Sequence, residues 1–313
     1  MTISKPIPVA SASALYSSVA GTGRLQVDSL FDVAGWVVVV TGGGTGLGLT
    51  TAIALAENGA KVYITGRRAE PLQAAAVERT EKGGAIIAIQ ADVGNKEGIK
   101  DFRSQLEARE KYINVLINNH GVSLGCADIN ACEQTPEGLS KQMFDGEDLD
   151  KWIETYRINT ASYHFTTFAL LPLLAAAKTV GNFPEPGNVV NLSSMSGITR
   201  TSQRGQFNYN ASKAATILLS HMQAAEFARR GLGVRVNVVC PGYFPSGMTV
   251  IDPCNNTGSD AHSSEFRNKW GIPFGRPGNA VDYAQCIFGL ITNQYVTGTE
   301  LVIDGGWLLE AAF

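Results

Sequence analysis

The sequence has no surplus of charge of either sign: 25 lysines and arginines stand against 28 aspartates and glutamates, for a net charge of −3. Such a chain offers neither the basic field that attracts nucleic acid nor a polybasic membrane patch, so a small ligand must be held by local groups. It also lacks any run approaching the roughly 18 apolar residues of a membrane span. Cysteine is scarce. The five residues Cys126, Cys132, Cys240, Cys254 and Cys286 are odd in number, widely spaced and free of any CxxC pair. Neither a disulfide framework nor a metal centre is expected from them, and a reducing, cytoplasmic setting is. No internal repeat or low-complexity tract appears.

What is present is enough apolar material for a full core: 44% of 313 residues are hydrophobic. The first 27 residues, rich in Ser, Ala and Pro, read as a flexible or surface-docked arm ahead of one domain over 28–313. Apolar, β-branched runs at 36–40, 61–65, 85–90, 113–117, 187–192, 234–240 and 300–303 read as buried strands. Helical patterns at 49–57, 70–82, 96–109, 148–174, 209–230 and 279–292 separate them. Strands alternating with helices predict right-handed crossovers and an α/β domain with a doubly wound, seven-stranded parallel sheet. Two long connections, 122–147 and 243–272, leave the carboxyl edge of that sheet and are candidate walls of a ligand pocket.

After the first strand comes Thr41-Gly42-Gly43-Gly44-Thr45-Gly46-Leu47-Gly48, followed by a helix. Strand, glycine loop and helix form the context in which a backbone can approach a pyrophosphate seated on free helix N–H groups. A turn without a ligand is the alternative. The second strand ends at Gly66-Arg67-Arg68, where an adenosine ribose would lie. Guanidinium groups there suit a 2′-phosphate, whereas an acidic residue would bind a free 2′-hydroxyl, so NADP(H) is favoured over NAD(H). Asp92, followed by Val93, could accept from an adenine amino group or cap the next helix. Asn159 is a polar residue in an otherwise packing helix, and a structural hydrogen bond would explain it.

Tyr209-Asn210-Ala211-Ser212-Lys213 puts a phenol and an ammonium on one helix face. Such a lysine is expected to favour the phenolate and lower the tyrosine pKa, making a proton donor near neutral pH; an ordinary surface pair is the alternative.

Taken together, TGGGTGLG at 41–48, Asp92-Val93, Asn118-Asn119-His120-Gly121, Asn159, Ser193-Ser194, Tyr209-x-x-x-Lys213 and Pro241-Gly242 resemble the short-chain dehydrogenase/reductase superfamily. The likeness spans about residues 30–307. It implies a Rossmann fold, nicotinamide chemistry and a homodimer or homotetramer built through the long helices. Carried over residue by residue, the catalytic set is Asn159, Ser194, Tyr209 and Lys213, with Ser196 as the fallback serine. The cofactor set is Gly42, Gly44, Thr45, Gly46, Leu47, Gly48, Arg67, Asp92, Val93, Asn119, Gly121, Tyr209, Lys213, Pro241, Gly242 and Phe244. Asn118 is expected to support the cofactor loop and the central sheet. His120 departs from the family's usual alanine and is either a tolerated substitution, a polar contact to cofactor or substrate, or a residue crowding the nicotinamide.

The resemblance implies hydride transfer to a carbonyl carbon, with Tyr209 supplying the proton, Ser194 bonding the oxygen and Lys213 holding the nicotinamide ribose. Asn159 would position a water linking Lys213 to solvent. The segment 241–249 is similar to that of rhamnolipid-type 3-oxoacyl reductases and fungal reductases, which, with its aromatics, points to an apolar ketone or β-keto substrate. The alternatives are an NAD(P)-dependent alcohol or sugar dehydrogenase, and a non-redox scaffold that binds NADPH.

Overall fold

The computed structural model describes residues 25–246 and 264–311. The expected arm up to residue 24, and 247–263 of the second pocket segment with Cys254, lie outside the described residues. The body that carries the sheet begins at Val33; ahead of it, Val27–Leu30 forms one helical turn.

Seven strands, β1 (Val37–Thr41), β2 (Lys61–Gly66), β3 (Ala85–Gln90), β4 (Val115–Asn118), β5 (Asn188–Leu192), β6 (Arg235–Pro241) and β7 (Glu300–Ile303), form one sheet. Their order is 3-2-1-4-5-6-7 and every pairing is parallel, which is the doubly wound Rossmann arrangement. The order reverses between β1 and β4, and a crevice opens there beyond the strand ends.

Side-chain alternation along the strands explains why both faces are covered. Val38, Val40, Val62 and Ile64 pack beneath α1 (Gly46–Glu57), α2 (Ala69–Ala75) and α7 (Ala280–Thr292). Their neighbours Val37, Val39 and Tyr63 face the other way, against α3 (Lys96–Glu107), α5 (Ser162–Thr179) and α6 (Phe207–Arg229). A strand buried on both sides must be apolar at every position, which is why Val37–Val40 reads as a continuous run.

Two helices differ from expectation. The helix read over 70–82 stops at Ala75, because the backbone turns extended at Ala76 and Val77 exchanges hydrogen bonds with Ile86. The long helix read over 148–174 is two helices, α4 (Leu149–Tyr156) and α5, joined by a π turn over Arg157–Ala161 that contains Asn159.

Candidate active site

At the switch point the glycine loop runs from β1 into α1. Gly42 has φ +64°, and a side chain on Gly48 would meet the Gly42 carbonyl oxygen at 2.3 Å and the Asn119 amide at 2.4 Å. The helix therefore starts pressed against the strand end, and its first N–H groups, which have no intrahelical partner, border the crevice. Asn119 holds the loop: its Nδ2 donates to the carbonyls of Thr41 (3.1 Å) and Gly42 (3.2 Å). Asn118 takes only part of its expected role. Its side chain is buried and donates to Thr167 and Asn191, joining β4 to β5 and α5, while its neighbour supports the loop.

A cavity of about 470 Å³ lies over this edge. Gly42, Gly44, Thr45, Gly46, Leu47, Arg67, Asp92, Val93, Asn119, Gly121, Ser194, Tyr209, Lys213, Pro241, Gly242 and Phe244 all line it. Gly48 and Asn159 do not. Gly48 lies under the loop, and Asn159 is fully buried. The lining also includes Pro71, Leu72, Val122 and Ile158, which have no polar signature in the sequence and were not anticipated.

Arg67 and Arg68 are exposed at the end of β2, and among the described residues no carboxylate pairs with either. Asp92 does not cap a helix. Its Oδ1 accepts from the Gly94 N–H and its Oδ2 from Asn95, and it is Asn95 that caps α3 by accepting from Gly98.

Across the cavity, α6 carries Tyr209 and Lys213. Burial raises the Tyr209 pKa, offset in part by a hydrogen bond with the Ser194 side chain. Burial pushes Lys213 down to about 8. The net direction for Tyr209 is therefore upward, against the expected lowering, with burial as the first cause. The Lys213 Nζ donates to the Leu192 carbonyl (2.9 Å) and lies 5.8 Å from the Tyr209 ring centroid. The three serines after β5 divide their work. Ser193 and Ser194 both border the cavity; Ser193 Oγ is committed to the Lys213 carbonyl (2.7 Å), anchoring α6; Ser196 is buried against the Met195 sulfur. The fallback to Ser196 is set aside on that geometry.

Asn159 does not line the cavity, and both of its amide protons are spent on protein partners. Its Oδ1 accepts from the Val122 N–H (2.8 Å), and its Nδ2 donates to the Val122 carbonyl (3.0 Å) and Ser212 Oγ (3.1 Å). It grips the chain after β4 from behind the cavity wall. A side chain on Gly121 would come within 3.2 Å of Asn159 Oδ1 and 3.6 Å of Lys213 Nζ, so Asn159 sits one residue's thickness behind the cavity wall.

The sequence profile of the short chain dehydrogenase family matches residues 36–252. The chain belongs to the short-chain dehydrogenase/reductase family. It is 35% identical over 293 residues to the short-chain dehydrogenase/reductase PhomF of Diaporthe leptostromiformis, covering 92% of this chain and 96% of that one. It is 32% identical over 281 residues to the rhamnolipids biosynthesis 3-oxoacyl-[acyl-carrier-protein] reductase of Pseudomonas aeruginosa, covering 89% and 98%. The solved Pseudomonas aeruginosa RhlG/NADP active-site complex superposes with a TM-score of 0.70 at 29% identity, over 89% of this chain and 98% of that one.

As a member of this family the protein is an oxidoreductase acting on CH–OH or C=O groups and taking NAD(P). Its own residues fit that group: the glycines let α1 start pressed against the end of β1, so that the loop, the first helix N–H groups and, among the described residues, guanidinium groups without a carboxylate partner border one cavity. His120 lines the cavity, and its ring is held from within the protein. Both ring nitrogens are within hydrogen-bond reach of protein hydroxyls, Nδ1 with Thr41 Oγ1 (2.8 Å) and Nε2 with Ser162 Oγ (2.7 Å).

Proposed function

We propose that the protein is an NADPH-dependent carbonyl reductase whose substrate is an apolar ketone or β-keto compound. The observation that carries this reading is the Tyr209 phenol, hydrogen-bonded with Ser194 on the wall of the cavity that the glycine loop and Arg67 also line. Bound NADPH would supply the hydride. With its pKa raised, Tyr209 stays protonated at neutral pH and can give its proton to the substrate oxygen as charge develops there. The Ser194 hydroxyl is the second donor to that oxygen. Arg67, and not an acidic residue, stands where a 2′-phosphate would be received, and two related proteins are described with NADP. The relative from Pseudomonas aeruginosa is a 3-oxoacyl reductase, which supports the β-keto class.

The test is NADPH oxidation against a panel of ketones and β-keto thioesters. Tyr209→Phe should reduce turnover by at least a hundredfold while NADPH binding persists. Arg67→Asp should raise KM for NADPH by tenfold or more and leave that for NADH unchanged or lower. Undiminished reduction by Tyr209→Phe would overturn the assignment of the donor, and equal KM shifts for both cofactors that of the phosphate site.

We further propose a homodimer or homotetramer. Leu149 and Ile153 on α4, and Leu218 and Met222 on α6, are i,i+4 pairs of exposed apolar side chains on helices packed together. Free thiols at Cys126, Cys132, Cys240 and Cys286 suit a cytoplasmic setting, and among the described residues no helix is long and apolar enough to cross a membrane.

A further inference from the structure

We infer that His120, as the neutral Nε2–H tautomer, is a positioning strut that ties the end of β1 to the π turn and so sets the spacing between the cofactor cradle and Lys213. The inference rests on the reading of this cavity as the NADPH site.

Proton counting assigns the tautomer. Ser162 Oγ has one hydrogen, and it donates that hydrogen to the Ile158 carbonyl at 2.6 Å. Towards His120 Nε2, 2.7 Å away, Ser162 can only accept, so Nε2 carries a proton. A neutral imidazole then has its lone pair on Nδ1, facing Thr41 Oγ1 at 2.8 Å. The Thr41 hydroxyl already accepts from the Asn119 N–H (2.9 Å), and its hydrogen is free to point at Nδ1, which is nearer than the Ile117 carbonyl at 3.3 Å. The result is one directed chain: Thr41 donates to His120, His120 to Ser162, and Ser162 to Ile158. It begins where the glycine loop begins and ends inside the π turn.

A second arm runs from the His120 main chain. Its carbonyl accepts from the Tyr163 phenol (2.6 Å), and the Tyr163 ring packs on the imidazole at 4.9 Å between centroids. The same phenol oxygen lies 3.3 Å from the Leu192 carbonyl, the acceptor of the Lys213 ammonium. His120 therefore stands between the loop that receives phosphate and the carbonyl that seats Lys213. Its charge state agrees: burial, reinforced by the positive charges of Lys213 and Arg67, pushes its pKa down to about 3. An alanine at this place would make none of these side-chain bonds, and the spacing would be left to the backbone.

The test combines a spectroscopic and a binding readout. Imidazole 15N shifts of the full-length protein at pH 7 should report a proton on Nε2 alone for His120. His120→Ala and, as a milder variant that keeps the ring, Ser162→Ala should each raise the NADPH dissociation constant and lower kcat, about tenfold for a lost buried hydrogen bond. His120→Gln, whose amide can reach Ser162, should recover more of both than His120→Asn, whose amide reaches only Thr41. An Nδ1–H or doubly protonated ring, or wild-type NADPH affinity and kcat in folded Ser162→Ala and His120→Ala, would overturn the strut. Failure of the wild-type protein to bind NADPH would instead overturn the cofactor reading.

Discussion

Burial acts on Tyr209, Lys213 and His120 in one sense: it disfavours whichever form of each side chain carries charge. The phenol is held protonated, the ammonium is weakened, and the imidazole is kept neutral. For His120 this has a consequence for stability. Its ordinary pKa is 6.5 and its folded one about 3. Between these values the unfolded chain binds a proton that the folded chain refuses, so stability falls as pH drops through 6.5 towards 3. The slope approaches about 1.4 kcal/mol per pH unit. The charged groups facing the ring are Lys213 on α6 and Arg67 at the end of β2, with the Tyr163 phenol on α5 as the other titratable neighbour. His120→Gln has no such proton to bind. Urea unfolding at pH 7, 6 and 5 should show the wild type losing stability relative to this variant at each step; a gap that does not change with pH would mean that His120 titrates normally.

At the scale of elements, the π turn Arg157–Ala161 is the device that joins α4 and α5 to α6. A π turn displaces a carbonyl from the usual helical ladder. The Asn159 carbonyl here accepts from Thr216 Oγ1 (2.8 Å), while Thr160 Oγ1 donates to the Ser212 carbonyl (2.8 Å). Ser212 lies between Tyr209 and Lys213 and also donates to the Tyr209 carbonyl, so the turn and the active helix are fixed to each other at several points. Thr216→Val keeps the shape and removes the donor. It should cost about 1–3 kcal/mol in chemical denaturation, and Thr216→Ser should restore most of that. No loss in the valine variant would show that the Asn159 carbonyl finds another partner. The sequence presents Asn159 as a lone polar residue in a helix. It does not show the π turn, because one residue inserted into a helical repeat leaves the apolar spacing on either side intact.

At the scale of the whole molecule, the exposed pairs Leu149/Ile153 and Leu218/Met222 lie on two helices packed together, and the second of these already covers the sheet with Ala224 and Phe227. Light scattering should give at least twice the 33.3 kDa chain mass for the wild type. The double variant L218D/M222D should approach the single-chain mass, since burying two like charges in an apolar contact without partners opposes association. A wild-type protein of single-chain mass would overturn the proposed oligomer.

The seven strands, their parallel sense and the glycine loop were determined by the sequence itself, because a strand buried on both faces and a backbone that must touch α1 each admit few residue types. Those constraints are local and survive in a one-dimensional string. Tertiary structure alone decided the partners: that Ser193 is tied to Lys213 while Ser194 beside it meets Tyr209, that Asn119 and not Asn118 braces the loop, that Asn159 grips Val122, and that Lys213 turns to Leu192. It also decided His120, which only the distant Thr41 and Ser162 explain. The physical reason is common to all of them. A hydrogen bond or a desolvated charge depends on atoms brought together from different elements, and their spacing along the chain carries no record of the distance between them.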